Sequence, residues 1–238
     1  MGWTRTDAAR RWIVVVGLVV GPLLAAVSVA IGLGVDGDDM RAQFASMGAH
    51  ATTVLAQDVL ETVGFVLVLA SLAGAAGALR TRGGVLGTIG AALAVPGIAG
   101  FAISNATGLA IVALAQQPDQ DAAFRTAMAI SGDGALATMG TVGFVLEILA
   151  QLGMLLVILG LVRARLVSVW VLPIVVVGIA VNAVVGTMAA TLAADVLLFA
   201  ACTWIAVRIA RCAPAQWLGV AVIPASAGTE REAVPGVA

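Results

Sequence analysis

Glu147 is the residue whose position most strongly suggests chemistry. It lies in an apolar run over residues 136–162 that is long enough to cross a bilayer. An ionised carboxylate at that depth is costly, so the sequence predicts that this group is protonated, paired or solvated. Gln151 follows one helical turn later on the same face. Such a carboxyl group can carry a proton, bind a substrate amine or act as a general acid, or it can hold two helices together.

Other polar side chains interrupt the apolar segments at similar depths. Besides Gln151 they are Asp58, Glu61, Asn105, Asn182 and Asp195. Their depths predict one polar cavity around Glu147 that opens outward and is built by the second to sixth spans. The alternative is a set of separate interhelical hydrogen bonds, which polar residues commonly form inside membranes.

Metal and cofactor chemistry is disfavoured. His50 with Asp58 and Glu61 offers three ligand types near one membrane face, but a solvated interfacial histidine is the favoured interpretation. Two cysteines, Cys202 and Cys212, do not make a zinc site. The sequence contains no lysine, which excludes Schiff-base chemistry on that residue, and its single histidine excludes haem held by paired histidines. We therefore expect no metal and no cofactor.

Sequence motifs of the common enzyme classes are missing. The chain has no Walker motif, nucleotide-binding glycine loop, HExxH, GxSxG or aspartate-rich prenyl-diphosphate motif. This argues against an ATPase, a zinc protease, a serine hydrolase and a prenyltransferase. A net charge of −1 gives no basic patch for nucleic acid.

Composition places these residues in a membrane. Hydrophobic residues make up 61% of the 238 positions, charged residues only 11%, and the mean hydropathy is +1.10. A soluble domain carries about 25% charged residues. The bilayer must therefore solvate most of the apolar surface, and the lipid bilayer is the first expected partner.

Six apolar segments predict an all-α, polytopic transmembrane six-helix bundle over residues 12–207. The predicted spans are residues 12–35, 58–79, 85–114, 136–162, 167–188 and 192–207. Residues 1–11 are predicted to form a cytoplasmic arm, and residues 208–238 a cytoplasmic and mostly disordered tail.

Arginine placement predicts the orientation. Ten of the twelve arginines fall in the arm, in the turns near residues 80–82 and 163–165, and in the tail. Only Arg41 and Arg125 fall in the other loops. The positive-inside rule then predicts a bacterial inner membrane protein with both termini in the cytoplasm.

The sequence also contains an internal repeat. The hexapeptide at residues 62–67 recurs at 141–146, and Asp39 with Phe44 recurs as Asp119 with Phe124. Residues 96–105 and 173–182 share a proline followed nine residues later by an asparagine. The common order predicts parallel helical-hairpin repeats, each made of one span, an outer segment and a second span. Asp38 or Asp39 is the predicted cap of an amphipathic helix in the first outer segment.

The layout of apolar hairpins, Arg-x-Arg inner turns and acidic outer segments resembles uncharacterised six-span membrane proteins of GC-rich bacteria. That resemblance implies the fold and no particular activity. A structural or partner-binding bundle, which acts through a protein partner or as a homo-oligomer, is the default prediction. The alternatives are a small-molecule or proton-coupled transporter around Glu147 and a metal-free membrane enzyme acting on a lipophilic substrate.

Overall fold

The computed structural model describes residues 4–35, 37–79, 83–185 and 187–217, except for the side chains of residues 133, 135, 183, 215 and 216. Within these ranges the secondary structure is entirely helical. The helices are α1 (Arg5–Gly32), α2 (Met40–Ala49), α3 (Ala51–Ala76), α4 (Gly84–Ala115), α5 (Gln120–Asp133), α6 (Ala135–Arg163), α7 (Val171–Val185), α8 (Met188–Arg211) and α9 (Pro214–Trp217). The predicted disorder of residues 218–238 and the Arg-x-Arg turn at residues 80–82 lie outside the described residues.

Five of these helices are long and apolar enough to span a membrane, namely α1, α3, α4, α6 and α8. They correspond to five of the six predicted spans. The all-helical prediction is confirmed, and the length and composition of these five helices fit a multi-pass membrane protein. The helix in the fifth predicted span, α7, has 15 residues. At 1.5 Å per residue it is about 22 Å long, less than the roughly 30 Å thickness of the hydrocarbon core.

The shortness of α7 follows from the turn that precedes it. Helix α6 ends in a Schellman motif, in which Leu166 N–H donates to Leu161 at 3.0 Å and Arg165 N–H donates to Val162 at 2.9 Å. Arg165 occupies the left-handed position with φ of 59°. The chain then turns through residues 166–170 before α7 begins, which shortens the predicted span at its start.

Two closely packed antiparallel helix pairs form the centre of the bundle, α1 with α3 and α4 with α6. In each pair glycines bring the backbones together, because a Cβ atom at Gly21 would lie 2.7 Å from the carbonyl oxygen of Gly64. A Cβ atom at Gly100 would likewise lie 2.9 Å from the carbonyl oxygen of Gly143. The pairs meet through α3 and α4, while α8 packs on α1 and α7 packs on α8.

One end of the bundle, here called the arginine end, is where α1 begins and where α6 and α8 end. Its core contains Val14, Leu72, Leu161 and Ile205, all buried. Arg11 donates from Nη2 to the carbonyl oxygen of Ala210 at 2.5 Å and from Nη1 to that of Cys212 at 3.1 Å. These bonds satisfy carbonyls left free at the end of α8 and hold the first and last long helices side by side.

The opposite end, here called the acidic end, is covered by the short helices α2 and α5. Asp39 caps α2 by accepting from Ala42 N–H at 2.7 Å, which confirms the predicted cap, and Asp119 caps α5 in the same way. The two helices contact each other through an ion pair between Arg41 and Asp121. Beside it, the rings of Phe44 and Phe124 pack edge to face with centroids 5.5 Å apart.

Candidate functional site

Four carboxylates from three helices converge in the half of the bundle nearer the acidic end. Glu61 on α3 interacts electrostatically with Asp58 on the same helix, with Glu147 on α6 and with Asp195 on α8. All four lie on helices long enough to span a membrane. We call these four residues the acid cluster. The fold therefore brings together every acidic residue that the sequence places within an apolar span.

Asn105 attaches α4 to this cluster. Its Nδ2 donates to the backbone carbonyl oxygen of Asp58 at 3.1 Å and also to Thr62 Oγ1. One amide group thus fixes the register of α4 against the helix that carries Asp58 and Glu61. Neither of these two bonds neutralises a carboxylate, because the acceptors are a carbonyl and a hydroxyl group.

Two of the four acids stand out by their burial. Asp58 Oδ2 is buried and has no hydrogen-bond partner among the described residues. Asp195 is buried, with only 8% of its surface exposed. The ion pair between Arg41 and Asp121 lies at the surface and involves none of the four acids. Ionised carboxylates that lie close together without a cation repel one another, which is energetically unfavourable inside a protein. The acid cluster is therefore unlike a structural network in which charges are paired.

Aromatic and aliphatic side chains close the site toward the arginine end. Phe65 lies one turn after Glu61, and Phe101 lies one turn before Asn105. Their rings stack with centroids 4.2 Å apart and an interplanar angle of 15°. Beyond them Leu69, Ala94 and Ala150 form a small buried cluster. Apolar side chains therefore lie between the acid cluster and the arginine end.

Glu147 and Gln151 both lie half-buried on α6. The backbone of Glu147 packs directly on α4, since a Cβ atom at Gly100 would lie 3.0 Å from its nitrogen. Glu147 belongs to the acid cluster through its interaction with Glu61. Gln151 lies on the same face of α6 as Glu147, and its side chain has no hydrogen-bond partner among the described residues.

Asn182 lies elsewhere. Its side chain is exposed at the end of α7, and its Oδ1 accepts from Thr191 Oγ1 at 2.9 Å. That bond connects the two helices of the α7–α8 hairpin and has no described link to the acid cluster.

His50 is also exposed, with its ring Nδ1 3.0 Å from the carbonyl oxygen of Ser46. In the described part of the chain, no group of three histidines, cysteines or acids is arranged to hold a metal ion.

Reasoning from the sequence missed Thr62, Phe65 and Phe101. Thr62 and Phe65 both lie in the repeated hexapeptide, so the repeat itself was the signal that could have drawn attention to them. Phe101 carries no such signal. Its place beside the site depends on how α3 and α4 pack, which spacing along the chain does not reveal.

Two cavities are present at the arginine end or near it, and neither is lined by any member of the acid cluster. The larger is a groove of about 570 Å³ between α1 and α3 that also touches Trp217. The smaller lies near the turn after α6 and is lined by residues of that turn and of α8.

The chain was compared with family models, with curated proteins and with solved structures, and it matches none of them.

Proposed function

We propose that this protein is a membrane carrier that binds a cationic small molecule at the acid cluster and exchanges it for protons. The observation that carries the proposal is the convergence of Glu61, Asp58, Asp195 and Glu147 without a basic partner among the described residues. Carboxylates inside a membrane that find no cation in their own chain are suited to receive one from outside.

A purely structural bundle is supported less well. Polar residues that serve only to join helices are expected to be paired with one another. Asn105 fits that expectation, since it bonds to Asp58 and Thr62. Asp58 Oδ2 does not fit it, because it is buried without a hydrogen-bond partner among the described residues. Neither of the two cavities near the arginine end is lined by Glu147 or Asp195, so they give no support to an enzyme pocket shared by these two acids.

The apolar surroundings of the cluster favour an organic cation over a bare metal ion. Phe65 and Phe101 stack on each other one helical turn from Glu61 and Asn105, so the side of the cluster toward the arginine end is apolar. A cation with apolar substituents would satisfy both the carboxylates and the rings. Protons would occupy the carboxylates when the cation has left, so charge balance is kept in both states.

We also propose that the chain crosses the membrane six times, with α7 as the fifth crossing. Arg11 contacts the end of α8, so α1 begins and α8 ends at the same end of the bundle. Leu161, near the end of α6, packs in the core of that same end. The chain must therefore travel to the acidic end between Arg163 and Thr187, and α7 lies in that interval.

Duplication of a helix–short helix–helix unit is the proposed origin of α1–α3 and α4–α6. The crossing of Gly21 with Gly64 and that of Gly100 with Gly143 are related by one constant offset of 79 residues. The caps Asp39 and Asp119 are related by nearly the same offset. Equivalent residues also contact each other across the acidic end, as Phe44 and Phe124 do. Contact between equivalent positions is what an approximate two-fold axis along the membrane normal produces.

Reporter fusions test the orientation that we propose, with both termini in the cytoplasm of a bacterial inner membrane. Fusions after Arg82 and after Arg165 are expected to report a cytoplasmic location, because arginine-rich loops are retained there. Fusions near Asp38 and Asp121 are expected to report the periplasm. A periplasmic signal after Arg165 would rule out this orientation.

The carrier function can be tested in proteoliposomes with an acidic lumen that contains a pH-sensitive dye. Addition of ethidium or tetraphenylphosphonium outside is expected to raise the lumenal pH faster than in protein-free liposomes, because each cation taken up releases protons. Glu61→Gln is expected to reduce this protein-dependent rate at least about tenfold, since an amide can neither release a proton nor attract the cation.

Asp38→Asn is the matched control, because it removes one carboxylate from the exposed surface at the acidic end. Its rate should equal that of the wild type. If organic cations cause no protein-dependent pH change, or if Glu61→Gln retains the full rate, the proposed exchange is wrong.

A further inference from the structure

The groove between α1 and α3 has a mixed character that the carrier function does not use. Its walls are apolar and include Ile13, Val16 and Val20, which are exposed. Its floor contains Gly17, Ser71 and Gly74. A volume of about 570 Å³ lies within the range of about 300–1,000 Å³ that is typical of small-molecule sites.

Two opposite charges line the groove near the arginine end. Asp7 and Arg10 lie in the first two turns of α1, three residues apart and therefore on the same helix face. Arg10 is exposed and makes no ion pair with any described residue, whereas Arg11 is engaged at the end of α8. Trp12 and Trp217 also line the groove, and tryptophan is enriched where the headgroup region meets the hydrocarbon core.

We propose that this groove binds a phospholipid with a primary ammonium headgroup, such as phosphatidylethanolamine, from the leaflet at the arginine end. The phosphate pairs with Arg10, the ammonium pairs with Asp7, and one acyl chain lies along Val16 and Val20 over the small-residue floor. The argument is charge complementarity, because one cation and one anion at the end of an apolar groove match a zwitterion followed by a hydrocarbon chain.

The order of the charges along the chain supports this headgroup over two common alternatives. Asp7 lies one turn closer to the N-terminus than Arg10, and hence farther from the hydrocarbon, as the ammonium lies beyond the phosphate in the lipid. Asp7 Oδ2 accepts from both Thr4 N–H at 3.1 Å and Thr4 Oγ1 at 2.7 Å, and the capping box so formed orients the carboxylate at the start of α1. A phosphatidylcholine headgroup has no N–H to donate, and phosphatidylglycerol would place a hydroxyl group near Asp7 in place of the ammonium.

Quenching of tryptophan fluorescence by lipids with brominated acyl chains tests the site. Trp3, Trp170 and Trp204 are replaced by phenylalanine so that Trp12 and Trp217 report on the groove. Brominated phosphatidylethanolamine is expected to reach half-maximal quenching at a mole fraction about fivefold lower than brominated phosphatidylcholine or phosphatidylglycerol, which corresponds to roughly 1 kcal/mol.

Variants separate the two charges from the groove itself. Arg10→Gln is expected to weaken quenching by all three lipids, and Asp7→Asn to remove only the preference for phosphatidylethanolamine. Ala70→Leu, at an exposed position that lines the groove, is expected to reduce quenching by all of them through steric exclusion.

Two controls complete the design. Arg5→Gln removes a charge from the same helix outside the groove, and Thr4→Ala removes the two bonds that the Thr4 hydroxyl group makes with Asp7 while keeping the carboxylate. Both should retain the wild-type preference. Equal half-maximal mole fractions for the three lipids, a preference for phosphatidylglycerol, or an unchanged response in Arg10→Gln would overturn the proposal.

Discussion

Gly100→Leu is expected to destabilise the bundle by about 2–3 kcal/mol. Any Cβ atom at Gly100 would lie 2.9 Å from the carbonyl oxygen of Gly143 and 3.0 Å from the nitrogen of Glu147. Both are backbone atoms that cannot rotate away, so α4 and α6 must separate and lose contacts along their length. Thermal unfolding in detergent should show a decrease in Tm of about 5–10 °C.

Gly140→Leu is the control for this substitution. It adds the same side chain to α6 at a position where a Cβ atom would meet nothing within 4 Å, so the Tm of this variant should remain close to that of the wild type.

The same thermal unfolding measurement tests the proposed duplication. Gly21 is related to Gly100 by the offset of the repeat, and a Cβ atom there would lie 2.7 Å from the carbonyl oxygen of Gly64. Gly21→Leu should therefore destabilise the protein to a similar degree, and a silent Gly21→Leu would contradict the equivalence.

Glu61→Gln is expected to stabilise the protein at alkaline pH by about 1–2 kcal/mol while abolishing exchange. The amide has nearly the same shape as the carboxyl group, so packing is kept, while repulsion from Asp58, Glu147 and Asp195 is removed. At alkaline pH this repulsion is greatest because the acids are ionised. It decreases as they are protonated, so the gain in Tm should decrease at acidic pH.

Comparing Tm at the two pH values distinguishes a binding site from a structural network. Asp38→Asn, which removes a charge from the exposed surface, should change Tm little at either pH. If Glu61→Gln lowers Tm at alkaline pH, the carboxylate of Glu61 must accept hydrogen bonds that hold the helices together. In that case the acid cluster would be structural, and the carrier function would lose its main support.

Several features of this protein follow from local sequence. The five long helices are apolar over enough residues to span a membrane, whatever their neighbours are. Asp39 caps α2 because its side chain bonds to the backbone three residues later, which is a local contact. The turn before α4 requires a positive φ of 86° at Gly83, and glycine adopts that conformation without strain.

The candidate site depended on tertiary structure. The sequence determined that Glu61, Glu147 and Asp195 lie within apolar segments, because depth in the membrane can be counted along a helix. The sequence also predicted that Asn105 and Asn182 line one polar cavity, because each follows a proline at the same spacing. Yet Asn105 bonds to α3 beside the acids, and Asn182 is exposed and bonds to Thr191. Helix packing decided this difference, since which side chains meet depends on the rotation and neighbours of each helix, and a nearly uniform apolar sequence constrains neither.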